Sequence, residues 1–192
     1  MGTKIQIQFN PEWVAYQMLR YGKTMPQSLS CIYIHAVFST KNRSPFLTDT
    51  VFRAELHAYL GGISKKLDCQ PVAVGGIEDH VHILFRLSRT ITIADWMKEV
   101  KRVSSMFAKT RIAEFSWQGG YGAFSVDIAS LDRIAAYVRN QAQHHQKLTF
   151  QDELRQLITE HGIDWDETGT RSTFGNDATL LGLDNVAARF PT

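Results

Sequence analysis

The sequence predicts an α+β fold, an antiparallel sheet backed by helices, on three observations. Stretches of alternating apolar residues mark strands, and apolar residues at helical spacing mark amphipathic helices. These follow one another in the order β, α, β, β, α, β. The 192 residues, 44% hydrophobic and 21% charged, suit one globular domain with a sizeable core.

The first strand covers residues 31–38, with Ile32, Ile34, Ala36 and Phe38 on one face and Tyr33, His35 and Val37 on the other. The polar run from Ser39 to Pro45 ends it. Phe52, Leu56, Leu60, Ile63 and Leu67 then recur at helical spacing behind an Asp49 or Thr48 cap, with Gly61-Gly62 weakening the later turns. Two strands over 70–77 and 80–87 form a hairpin, with Gly75, Gly76, Glu78 and Asp79 at the connection. Ile93, Trp96, Val100, Val103 and Phe107 make the apolar stripe of a second helix, whose other face repeats Lys98, Arg102, Ser105 and Lys109. A β segment over 121–126 leads to a helix from about Ser130, with Leu131, Ile134 and Val138 inward. A last helix starts at the capping signal Thr149-x-x-Asp152 and runs to about His161. This order is the split βαβ arrangement of a ferredoxin-like βαββαβ domain, with additional C-terminal helices. Residues 1–24 read as an extension without assigned role, 25–165 as the domain, and 166–192 as a flexible tail rich in Gly, Thr, Asp and Asn.

A net charge of +2 makes any nucleic-acid surface a local matter. One local concentration lies between residues 98 and 111, where Lys98, Lys101, Arg102, Lys109 and Arg111 face a single acid, Glu99. With Lys41 and Arg43 they form a candidate phosphate track, although charged helix faces are most often simply solvated. Cys31 and Cys69 lie far apart with no CxxC spacing, which argues against a disulfide framework or zinc cluster and fits a reducing cytoplasm. Lys4, Gln6, Gln8, Glu12 and Arg20 interrupt the N-terminal stretch, so no membrane segment is expected there. No G-x-x-x-x-G-K-[ST] phosphate loop is present, so no nucleotide cofactor is expected.

His80-Val81-His82 lies inside a predicted strand, so both imidazoles project from one face and can grip one ion together. Two ordinary polar residues on an exposed sheet face explain the pattern about equally well. Tyr137 and Gln141 stand one helical turn apart, with His144 and His145 extending that edge. By itself Tyr137 reads as a packed tyrosine with a bonded hydroxyl. Glu78 offers a carboxylate beside His80 but is more simply a solvated turn acid. His35, on the same strand face as Val37, reads as a packed or hydrogen-bonded histidine.

In combination these residues resemble the single-tyrosine HUH transposases of insertion-sequence-200 type. Four blocks carry the resemblance in the family's order: 34–43, 79–84, 117–126 and 137–145. It covers about residues 25–165. It implies a homodimeric, ferredoxin-like enzyme that binds hairpins in single-stranded DNA and uses Mg²⁺ or Mn²⁺. By that resemblance His80, His82 and Gln141 are metal ligands and Tyr137 is the nucleophile, with Tyr121 the second choice. A divalent cation neutralises a phosphodiester, and a phenolate is a displaceable leaving group, so the chemistry is coherent. The rival readings are a domesticated hairpin endonuclease, a catalytically silent DNA-binding regulator and an unrelated metal hydrolase.

Overall fold

The computed structural model describes residues 29–145 and 149–163. The expectations for 1–24 and 166–192 lie outside the described residues. The elements are β1 (Tyr33–Ser39), α1 (Thr50–Lys66), β2 (Gln70–Gly76), β3 (His80–Arg86), α2 (Ile93–Ala108), β4 (Gly122–Val126), α3 (Leu131–Arg139), α4 (Gln141–His144) and α5 (Phe150–Glu160). The sheet is antiparallel throughout in the order β2-β3-β1-β4, as the split βαβ reading requires.

Caps fix the helix starts. Asp49 accepts hydrogen bonds from the Val51 and Phe52 amides at 2.9 and 3.2 Å, and Thr149 accepts from the Asp152 amide at 3.2 Å. The Gly61-Gly62 pair does not interrupt α1, because Phe52, Leu56, Leu60 and Ile63 hold its buried face against the sheet. Tertiary packing outweighs the propensity cost of two glycines, about 1 kcal/mol each.

Both faces of the sheet are covered. Ile34, Ala36, Phe38, Val81, Ile83 and Phe85 pack with α1 and α2 in the main core. On the opposite face, Val37 and Phe124 pack with Phe150, Leu154, Leu157 and Ile158 of α5. Ala73 and Leu84 there pack with Ala135 and Val138 of α3. Each large apolar side chain so buried contributes about 1.5–3 kcal/mol, enough for the four on α5 to hold that helix on the sheet. The histidine face is therefore a second interior, not a solvated surface.

The sequence pattern suggests one helix through Tyr137 and Gln141, but the helix breaks at Asn140, where φ is −99° and ψ is 20°. Asparagine tolerates such a conformation because its amide competes for nearby backbone groups. Gln141 nevertheless remains buried.

Gly75 sets the distance between β2 and α3. A Cβ built there would lie 1.8 Å from the Val138 carbonyl oxygen, and backbone cannot give way as a side chain can. Gly75→Ala should therefore lower unfolding free energy by roughly 1–3 kcal/mol, the usual cost of overpacking. Denaturant melts with unchanged stability would contradict this close approach.

Candidate active site

The β2–β3 turn delivers the histidines. Gly76 has φ of +151°, and a Cβ there would fall 2.2 Å from the His80 carbonyl oxygen, so the turn requires glycine. β3 then sends Val81, Ile83 and Phe85 into the main core and His80 and His82 to the other face, each 0% exposed.

Neighbours fix both rings. His80 Nδ1 lies 2.7 Å from Asp79 Oδ1, and Arg43 donates to Asp79 Oδ2 through Nε at 3.0 Å and Nη2 at 2.6 Å. Burial alone would raise the Asp79 pKa, but the His80 hydrogen bond and the Arg43 charge pull it below its ordinary value. An ionised carboxylate only accepts, so His80 Nδ1 donates and its Nε2 faces the pocket. Asn42 and Arg43 both adopt φ of 54°, a left-handed backbone that delivers the guanidinium to Asp79.

His82 Nδ1 lies 2.9 Å from His35 Nε2, with the two rings stacked at 5.1 Å. Burial, with His82 beside it, pushes the His35 pKa down to about 3, and burial pushes that of His82 down to about 4 despite the neighbouring Glu153. Both rings are neutral at pH 7, the form in which imidazole can ligate a metal.

α3 and α4 bring Tyr137 and Gln141 to the same pocket. The Tyr137 ring stands edge-on to His82 at 5.9 Å and to His35 at 6.0 Å. Its hydroxyl donates to Glu153 Oε1, which also accepts from Gln141 Nε2 at 2.9 Å. Burial and the negative charge of Glu153 raise the Tyr137 pKa well above the ordinary phenol range, so the hydroxyl is un-ionised. Glu153 is 1% exposed. Burial would raise its pKa, but the hydrogen bond from His145 and the nearby His82 imidazole outweigh that and hold it far below the usual carboxylate range.

His80 Nε2, His82 Nε2 and Gln141 Oε1 are buried without a hydrogen-bond partner. Three such unsatisfied polar atoms in one pocket are costly as they stand, and two imidazoles with an amide oxygen suit a divalent cation. The residues present thus fit the metal that the sequence resemblance implies. Glu153 and His145 also belong here: one donor atom from each of His80, His82, His145 and Glu153 lies within 4.8 Å of the others. Glu153 is not among the candidates that the sequence patterns single out. Its signal was position, because Phe150, Leu154, Leu157 and Ile158 define a buried stripe and residue 153 falls inside it.

Other candidates lie elsewhere. Glu78 is 47% exposed at its side chain and sits 4.0 Å from Arg53, as a solvated turn acid would. Tyr121 is 36% exposed, beneath the Lys101 ammonium at 5.8 Å. Lys101 itself donates inward to the carbonyls of Gln118, Gly119 and Gly120 at 2.7, 3.4 and 2.5 Å, clasping that loop. Arg102 pairs with Glu99 and Arg111 with Glu55, each at 2.6 Å. Lys41, Lys98 and Lys109 are exposed. Because α2 packs on the face that carries Val81, Ile83 and Phe85, the sheet separates its cations from the histidines.

Residues 28–141 match the family described as transposase, IS200-like, a span from before β1 through Gln141. The chain belongs to the IS200-like transposase family. That membership gives it the role of a transposase, and the antiparallel sheet with flanking helices is the fold expected of it. Among solved structures, the chain is similar to a candidate transposase from Deinococcus radiodurans R1, with 23% identity and a TM-score of 0.49 over 62% of this chain and 98% of that one. It is also similar to a REP-associated tyrosine transposase bound to a REP hairpin, with 12% identity and a TM-score of 0.45 over 61% and 70%. No curated protein matches the chain. The family match ends before His145 and α5. Among the described residues of this transposase, no helix is long and apolar enough to cross a membrane.

Proposed function

We propose that this transposase cleaves and rejoins single-stranded DNA at hairpin-bearing element ends through a 5′-phosphotyrosine at Tyr137. The observation that carries the reading is the convergence of the Tyr137 hydroxyl, by way of Glu153, with the unpartnered His80 Nε2, His82 Nε2 and Gln141 Oε1. His80, His82 and Gln141 would hold Mg²⁺ or Mn²⁺, which when bound neutralises and polarises the scissile phosphate.

Tyr137 Oη attacks phosphorus and passes its proton to Glu153 Oε1, its hydrogen-bond acceptor, while the bond from phosphorus to the 3′ oxygen breaks and that oxygen takes up a proton and leaves as a 3′-hydroxyl. Asp79 and His35 keep the two imidazoles oriented through the step, and burial excludes water that would hydrolyse the intermediate. A DNA 3′-hydroxyl then displaces the phenolate. The bond energy is kept in the phosphotyrosine, so no nucleotide cofactor is needed.

Lys41, close to the His80 end of β1, and the exposed Lys98, Arg102, Lys109 and Arg111 are the cations offered to DNA phosphates. Lys101 and Arg43 are left out of that track because loop carbonyls and Asp79 engage them. A strand contacting both groups must pass around the sheet. Excision brings two element ends together, which suits a homodimer acting in the cytoplasm.

Single strands carrying hairpins, incubated with the protein and Mn²⁺, should yield a denaturant-resistant protein–DNA adduct. They should also bind more tightly than matched blunt duplex, with affinity falling as salt rises. Equal or tighter duplex binding across a salt series, with no adduct on a hairpin library, would overturn this function.

A further inference from the structure

Two pocket side chains lie beyond the family-matched span: His145 just after α4 and Glu153 on α5. Resting on the metal-dependent reading above, we propose that His145 and Glu153 complete the coordination of the cation held by His80 and His82, so that in the resting chain the ion ties α5 to the sheet.

Spacing is the first support. Glu153 Oε2 lies 3.1 Å from His145 Nε2, 3.4 Å from His82 Nε2 and 3.7 Å from His80 Nε2. Ligand atoms about 2.1 Å from one ion stand roughly 3 to 3.5 Å apart across octahedral or tetrahedral angles. The distances to His145 and His82 fall in that range, and the distance to His80, 3.7 Å, lies just above it.

Unsatisfied polar atoms are the second: His80 Nε2 and His82 Nε2 are buried without a hydrogen-bond partner, and both face Glu153 Oε2. The two carboxylate oxygens also divide their work. Oε1 receives the Tyr137 hydroxyl and the Gln141 amide, while Oε2 faces only the imidazole cluster among its recorded partners. One carboxylate thereby orients the nucleophile and ligates the ion. The apolar residues Phe150, Leu154 and Leu157, buried on the same helix, keep it in place.

The competing arrangement puts a proton on His145 in place of a metal, making Glu153 and His145 a structural ion pair. Mn²⁺ binding to the full chain without DNA, followed by the electron paramagnetic resonance signal of free Mn²⁺, separates the two. Glu153→Gln keeps the side-chain shape, and it and His145→Gln should each weaken binding by about tenfold or more. The His80→Ala/His82→Ala chain should show no site. Unchanged or tighter binding in the Gln variants, with the site lost in the double Ala variant, overturns the proposal and leaves the metal reading standing. Undiminished binding in the double Ala variant overturns both. Spin-echo spectra of Mn²⁺ on the unmodified chain supply a readout that needs no variant: three coordinated imidazole nitrogens are expected, and two would overturn the proposal.

Discussion

Tyr137→Phe should remove covalent adduct formation and strand cleavage altogether while leaving a folded chain that still binds Mn²⁺ and hairpin DNA. Phenylalanine keeps the ring and its edge-on packing against His82 and His35 but has no attacking oxygen. The lost hydrogen bond to Glu153 should reduce stability by about 1.5–3 kcal/mol, the range for bonds to a charged partner. Glu153 Oε1 still accepts from Gln141, so no bare carboxylate remains. Gln141→Ala should behave differently, weakening metal affinity by about 10- to 100-fold and recovering in part with excess Mn²⁺, because the phenol is untouched. Peptide mapping of the adduct is the decisive measurement. A 5′-phosphate on Tyr121, or an adduct on the Tyr137→Phe chain, sinks the assignment of the nucleophile.

His80→Ala/His82→Ala should abolish the catalytic Mn²⁺ site in calorimetric titration. The same substitution should erase the metal's effect on melting. At a free metal concentration 100 times the dissociation constant, a site present only in the folded chain adds about 2.7 kcal/mol of stability. The unmodified chain should show that increment and the double variant should not. Circular dichroism is the necessary companion measurement, since truncation leaves Asp79 and His35 without their imidazole partners. Undiminished site occupancy in a folded double variant would refute the assignment.

Local rules made much of this readable in the sequence. The two-residue period of a strand puts His80 and His82 on one face, and the Asp49 and Thr149 caps announce their helices. The less legible features depend on which element packs where. Nothing local says that α3 to α5 cover the histidine face, so the complete burial of His80 and His82 was not foreseen, nor the arrival of Glu153 from outside the four blocks. The inward turn of Lys101 is of the same kind: its carbonyl partners lie 17 to 19 residues away. Helical spacing predicted the Tyr137–Gln141 proximity correctly in effect, yet the backbone reaches it through a break at Asn140.

β3 serves two interiors at once, and this constrains how the protein can fail. A slip of one residue against β1 would turn Val81 and Ile83 toward the pocket and His80 and His82 toward α1 and α2. Imidazoles would then crowd the oily layer while aliphatic groups faced the nucleophile. Misregistered chains therefore forfeit cohesion together with chemistry, and no well-packed but inert isomer of the sheet is available. Folding acts as its own proofreading of the ligand pair, because the pairing that packs is the pairing that presents both nitrogens.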